Sequence, residues 1–299
     1  MTMKHGIPVD ESILDAYLAR LGFSDVPPPT LDTLFGLHRA HVERVPYETV
    51  WIALGERRGI DLLESAQRLT NGTGAGGYCY HLNGGLSLLL EWLEFDIQRH
   101  LGGVQPKPSA TNPGPAAGAS GNHLALTVSV DGDEWLVDAG LGDGLHDPVP
   151  LIEGDVVQGA FHFRLRPSDV EPGAWRFDHD PNGSFAGFDY RPGPVAEEEF
   201  HERDAFLSTS PDSGFVRVVM AQRRDAGGGD SLKGKMLTRI DATPDAGREL
   251  TSEAEWRAAL TDVYGIRLDH VEPAAVTTLW QRICADHEAF RNRQRYLPA

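Results

Sequence analysis

Through the first hundred residues the apolar positions recur at helical spacing. Ile13, Leu14, Tyr17, Leu18 and Leu21 share one face of a helix predicted over Asp10 to Leu21, with Gly22 placed as its C-terminal cap. Pro27 to Pro29 interrupt the chain before a second helix, which begins near Thr30 and runs to about Glu43. A short helix is predicted over Asp61 to Leu69. Another starts at Cys79 and carries the apolar run Leu86 to Leu93.

From Leu101 the pattern changes. Pro106 to Gly121, rich in Pro, Gly, Ala and Ser, reads as a mobile surface loop. His123 to Val130 is a strand, Asp131-Gly132 a hairpin turn, and Glu134 to Asp138 the returning strand. Short strands are predicted at Phe161 to Leu165, Trp175 to Asp178 and Phe188 to Arg191. In the last third, Phe215 to Met220 and Lys235 to Ile240 flank Gly227 to Gly229 as a second hairpin. Ser252 caps a helix with Trp256, Leu260 and Val263, and Pro273 opens a final one. No internal repeat is visible.

The totals narrow the function classes. With 299 residues the chain has length for two or three domains. No apolar run approaches the roughly 20 residues a bilayer needs, and Met1 to Pro8 has no charged-then-apolar leader, so a cytoplasmic protein without a membrane partner is expected. A formal net charge of −17 and the lack of a basic stripe argue against nucleic acid. Two cysteines, Cys79 and Cys284, are too few for a disulfide scaffold or a Cys-rich zinc site. Cys284 lies in a helical pattern and reads as core.

Cys79 sits in Gly76-Gly77-Tyr78-Cys79-Tyr80-His81-Leu82-Asn83-Gly84, at the start of a helix. Free backbone N–H groups and the positive dipole end favour a thiolate there. The paired glycines would let a substrate carbonyl approach the sulfur. A small core residue is the competing reading. The hairpin bears on the choice: with a two-residue turn, Val130 pairs with Asp133 and Asp138 falls opposite Ala125. His123 and Asp138 then project from one face as diagonal neighbours. An imidazole with a carboxylate beside it is what a cysteine nucleophile requires. A satisfied His–Asp pair or a strand-end cap would look the same at this stage.

Gly76 to Tyr80 with Asn83, then His123, then Asp138-Ala139-Gly140-Leu141-Gly142 with Pro148 to Leu151, closely resemble the arylamine N-acetyltransferase family. Tyr17 to Leu21, Val45-Pro46-Tyr47-Glu48 and Ser208 to Ser213 resemble it too, in order through nearly the whole chain. The resemblance implies an α+β fold of three domains around a papain-like Cys-His-Asp core. These are a helical bundle (1–101), a β-barrel (102–192) and an α/β lid (214–299), with an interdomain segment at 193–213. It implies a triad of Cys79, His123 and Asp138, with the Cys79 and Tyr80 amides holding an oxyanion and Asn83 and Glu48 in support. It also implies a substrate or cofactor pocket involving Tyr47, Gly140, Leu141, Gly142, Thr209 and Ser213. The expected cosubstrate is acetyl-CoA or another acyl thioester, with no tightly bound cofactor, and the acceptor an arylamine, hydroxylamine or hydrazine.

Some positions depart from the family pattern. Ala75 stands where an arginine usually precedes the glycines, and Thr49 where Asn follows the Glu, so Glu48 is expected to lack its arginine partner. His81, Leu141 and Asp212 also differ. These departures point to a changed donor or acceptor. The family's amide synthases, which take a long acyl chain from a carrier protein and close it onto an arylamine, are one alternative. A hydrolase or transglutaminase-like enzyme with the same triad, and a non-enzymatic binding protein, are others.

The remaining signals imply little. Asp138, Asp143, His146 and Asp147 lack calcium-loop spacing, so no metal is expected, and Gly229 to Lys235 lacks the phosphate-loop pattern. His38, His41, His81 and His146 read as surface or satisfied core, and Glu197-Glu198-Glu199 as a solvated helix face.

Overall fold

The computed structural model describes residues 3–4, 7–107, 118–241, 243, 245 and 247–295. Most of the expected loop between Pro106 and Gly121 lies outside these.

After the short strands β1 (Met3–Lys4) and β2 (Ile7–Pro8), the first third is helical: α1 (Glu11–Leu21), α2 (Leu31–Arg44), α3 (Val50–Ala53), α4 (Leu62–Thr70) and α5 (Cys79–Trp92). The polar residues before α1, α2 and α4 cap them as their types require. Asp10 accepts from the Ser12 and Ile13 amides, Thr30 from Thr33, and Asp61 from Glu64. Of the residues in α5, only Glu91 escapes full burial, which fits its apolar character on every side. Tyr17, Leu37, Leu69, Leu86, Leu89 and Trp92 form the centre of the helical core. Between α2 and α3 the chain contributes β3 (Tyr47–Glu48).

The middle holds β4 (Asp96–Gln105), β5 (His123–Val130), β6 (Asp133–Val137), β7 (Val149–Pro150), β8 (Gly154–Gln158), β9 (Phe161–Pro167), β10 (Trp175–Asp178) and β11 (Gly187–Tyr190). They pair antiparallel in the order β7-β6-β5-β4-β11-β10-β9-β8, a nearly closed, barrel-like sheet. Asp131 and Gly132 both have positive φ, 55° and 91°, so the turn twists with its strands. Its register is the expected one, from Val130 opposite Asp133 to Leu126 opposite Val137. Strand alternation then divides β5: Leu124, Leu126, Val128 and Val130 face the helices, whereas Ala125 joins Phe161, Phe163, Phe177 and Phe188 inside the sheet.

Two helices follow, α6 (Glu198–Thr209) and α7 (Gly214–Arg217). Next come β12 (Met220–Arg224), β13 (Gly229–Lys233), β14 (Met236–Ile240) and β15 (Arg248–Glu249), then α8 (Glu253–Asp262) and α9 (Pro273–Arg295). Here the sequence reading needs correction. Phe215 to Arg217, expected in a strand, belong to α7 because Ser213 caps that turn. The strand starts at Met220, and Gly229 opens a strand of its own rather than ending a turn. β3 pairs with β12, so the second sheet, β15-β14-β13-β12-β3, includes residues from the helical third. Cys284, expected in the core, is half-buried beside Ile283, which does enter it. Among the described residues no helix is long and apolar enough to cross a membrane.

Candidate active site

Cys79 is the first residue of α5 and is 4% exposed. Neither its amide nor that of Tyr80 has an acceptor among the described residues, as expected for the first turn of a helix. Its sulfur lies 3.6 Å from the Asn122 carbonyl oxygen. The preceding glycines are needed for a reason other than the expected substrate approach. A Cβ on Gly76 would sit 1.7 Å from the Pro46 carbonyl oxygen, and one on Gly77 would sit 2.6 Å from His81 Cβ. The protein's own groups fill that space. The turn is further fixed where Tyr78 donates its hydroxyl proton to Asp204 of α6.

His123 opens β5 and Asp138 follows the end of β6, both fully buried, with His123 Nε2 2.6 Å from Asp138 Oδ2. The other carboxylate oxygen accepts from Asn83 Nδ2 and from the Gly140 amide, each at 2.9 Å. Asn83 also donates to the Leu124 carbonyl and accepts from the Ala139 amide. One residue of α5, a turn beyond Cys79, therefore ties the Cys79 helix to β5 and to the segment after β6 that carries Asp138. His123 Nδ1 has no hydrogen-bond partner among the described residues. Burial alone would lower the imidazole pKa; the Asp138 carboxylate, with a smaller contribution from Cys79, outweighs it and raises the pKa to about 10.

Cys79 and His123 open onto one cavity of about 310 Å³. Of the expected pocket residues, Tyr47, Gly140, Leu141 and Gly142 line it. Thr209 and Ser213 do not: Thr209 is exposed and bonded to Ala205 of its own helix, and the Ser213 hydroxyl is spent capping α7. The sequence reading missed, among others, Asn122, Phe185, Leu207, Phe215, Gln222 and Lys233 in the walls. Tyr80 points away, donating its hydroxyl to the Gly121 carbonyl at 2.5 Å and packing on Phe200.

Glu48 has an arginine partner after all. Arg58 Nη1 lies 3.3 Å from Glu48 Oε1, with side chains 7% and 2% exposed, and donates to the Gly76 carbonyl at 3.0 Å. The Ala75 carbonyl accepts from Arg20 at 2.8 Å. The expectation of satisfied or surface histidines also needs correction. His81 is buried with neither ring nitrogen hydrogen-bonded, packed between Tyr78 and Trp51, and burial with the Arg58 charge lowers its pKa to about 3. His38 and His41 each leave one buried ring nitrogen unpartnered, while His146 pairs with Glu43. Asp212, outside the cavity, pairs with Arg217.

The sequence model of the N-acetyltransferase family matches residues 30–272. The chain belongs to the arylamine N-acetyltransferase family. It is 30% identical over 156 residues to the arylamine N-acetyltransferase of Escherichia coli, a match spanning 52% of each chain and so about half the length of that relative. It is 31% identical over 156 residues to proansamycin X synthase of Amycolatopsis mediterranei, covering 51% of this chain and 57% of the synthase. The structure of Mycobacterium marinum arylamine N-acetyltransferase in complex with CoA superposes with a TM-score of 0.77 at 26% identity, over 90% of this chain and 98% of that one. The mixed helical and barrel-like architecture is shared with the Mycobacterium marinum structure.

Proposed function

We propose that this chain is an acyltransferase that moves an acetyl group from acetyl-CoA to an arylamine, arylhydroxylamine or hydrazine through a Cys79 acyl-enzyme. The observation that carries the reading is the buried His123–Asp138 pair with Nδ1 left free at a cavity that also exposes Cys79 at a helix N-terminus.

In the first half-reaction the Cys79 sulfur, its proton held on His123, attacks the thioester carbonyl. The Cys79 and Tyr80 amides stabilise the oxyanion, and the coenzyme leaves with the proton from His123. In the second, the amine attacks the Cys79 thioester and passes a proton to His123, and the intermediate collapses to amide and free enzyme. Asp138 keeps the imidazole oriented and its charged form stable throughout, and Asn83 holds Asp138. Glu48 supports the turn that presents Cys79. Acetyl-CoA enters as a cosubstrate and leaves as free coenzyme A. In this reading residues 1–101 present the nucleophile, 102–192 the dyad, and 193–213 and 214–299 close the cavity.

Coenzyme release tests this. Without amine, acetyl-CoA should give one burst of free thiol equal to the enzyme present, and turnover should require an arylamine. Steady turnover without amine would make the enzyme a thioester hydrolase instead. Similarity to proansamycin X synthase favours a second reading, an amide synthase joining a carrier-bound acyl chain to an arylamine. Acylation by a carrier-bound chain but not by acetyl-CoA would select it.

A further inference from the structure

Tyr47 brings to the reaction cavity a hydroxyl for which the two half-reactions above have no use. Its backbone is held from both sides. The Gly77 amide donates to the Pro46 carbonyl at 3.4 Å and the Glu48 amide to the Gly77 carbonyl at 2.9 Å, which bridges Tyr47 to the turn before the nucleophile. Across β3, Tyr47 pairs with Gln222 of β12. A shared floor relates it to Cys79: a Cβ on Gly140 would come 2.9 Å from Cys79 Cα, and one on Gly142 would come 3.0 Å from Tyr47 Cβ. Gly140, against Cys79, and Gly142, against Tyr47, thus lie two residues apart in the turn that follows β6. The ring is steadied edge-on by Phe215 at 6.2 Å between centroids.

The other uncharged polar side chains at the cavity are already engaged. Asn122 brackets Val104 through its amide and carbonyl, Ser184 donates to Asp143 at 2.7 Å, and Gln222 Nε2 lies 3.4 Å from Ser231 Oγ. The Tyr47 hydroxyl makes no hydrogen bond among the described residues. Burial first, then the charges of Cys79 and Asp143, hold its pKa well above the ordinary phenol range, so it remains protonated at working pH. Such a group can donate a hydrogen bond and cannot act as a base. The charge that appears next to Cys79 during reaction is the oxyanion of the acyl carbonyl.

We propose that Tyr47 is a catalytic residue whose hydroxyl donates a hydrogen bond to the acyl carbonyl oxygen as it becomes an oxyanion in both half-reactions. The proton stays on Tyr47; no bond at the phenol breaks. The proposal rests on the Cys79 acyl-enzyme reading.

Tyr47→Phe tests it by rapid-mixing kinetics. Acylation by acetyl-CoA and aminolysis of the acyl-enzyme should each slow roughly 100-fold, with KM little changed. Alkylation of Cys79 by iodoacetamide, which forms no oxyanion, should keep its wild-type rate. Equal slowing of acylation and alkylation would mean that Tyr47 only positions the cysteine, and unchanged acylation would mean that it does nothing; either overturns the proposal. If Tyr47→Phe does not fold, Tyr47→O-methyltyrosine keeps the ring and the oxygen but cannot donate. Acylation should then slow to a similar degree while alkylation of Cys79 keeps its rate, and acylation at the wild-type rate contradicts the proposal. A wild-type enzyme that forms no acyl-enzyme would overturn the parent reading, an outcome distinct from a wild type that acylates as fast as Tyr47→Phe.

Discussion

Arg58 reaches across the nucleophile turn to Glu48, 3.3 Å away, while its guanidinium covers the Trp51 ring at 4.8 Å. The pair stands close to Ala75, whose small side chain lines the same recess as both of them. A cation from another part of the chain therefore partly offsets the burial of Glu48, whose pKa burial still raises, and Ala75 does not leave Glu48 without an arginine.

Arg58→Ala should leave Glu48 buried without its cation and the Gly76 carbonyl without a donor. Breaking one side of such a pair costs about 3–5 kcal/mol. Urea unfolding should register that loss, with a smaller one for Arg58→Lys, which keeps the charge but not the forked geometry. Equal stability of Arg58→Ala and wild type would show that Glu48 needs no partner.

Asn83→Ala removes a donor to Asp138 and to Leu124 and an acceptor for Ala139, all buried. A destabilisation of roughly 1–3 kcal/mol for each group left unsatisfied is expected, together with slower acylation because Asp138 loses an orienting contact. Thermal unfolding and burst kinetics measure the two effects. A variant that lost stability but kept the wild-type burst rate would remove Asn83 from the support of the dyad.

Gly140→Ala forces a methyl group to within 2.9 Å of Cys79 Cα and 2.7 Å of Asn83 Nδ2. Overpacking of this kind costs about 1–3 kcal/mol, and here the groups that must move are Cys79 and Asn83. Acylation should fall by more than stability alone would explain, as judged at a temperature where the variant is fully folded. An unaltered acylation rate would separate Gly140 from the site.

Much of this site was legible because it rests on local rules. Asp131-Gly132 specified its turn, and period-2 alternation then put His123 and Asp138 on one face. Where pattern and neighbours disagreed, the reading failed. β4, DIQRHLGGVQ, has no alternation and becomes a strand only between β5 and β11. Phe215 to Arg217 looked like a strand until Ser213 capped them into a helical turn. The Arg58–Glu48 pair left no signal at all, since its geometry arises from the fold of the loop between α3 and α4. The walls contributed by Phe185, Leu207 and Gln222 come from the β10–β11 loop, α6 and β12, and nothing local announces their convergence.

The His123–Asp138 pair also makes stability depend on pH. In a Cys79→Ala background, where the thiol no longer titrates with the imidazole, the folded pKa stays raised by Asp138 above the unfolded value of about 6.5, though by less than with Cys79 present. The folded state then binds the extra proton. Its contribution is complete below about pH 6.5 and is lost as pH rises through the folded value, which lies below the wild-type site's value of about 10, with a slope of at most about 1.4 kcal/mol per pH unit. Urea midpoints across this range should decline, and Asp138→Asn in the same background should abolish the decline. A flat profile before that second change would mean that Asp138 does not hold the proton on His123.

The central claim is that Cys79 carries the acyl group. Intact-mass measurement after mixing with acetyl-CoA in the absence of amine tests it directly. A gain of one acetyl group is expected, located to the peptide containing Cys79, absent from Cys79→Ala and discharged by an arylamine. An unmodified Cys79, or acetylation that persists in Cys79→Ala, would contradict it.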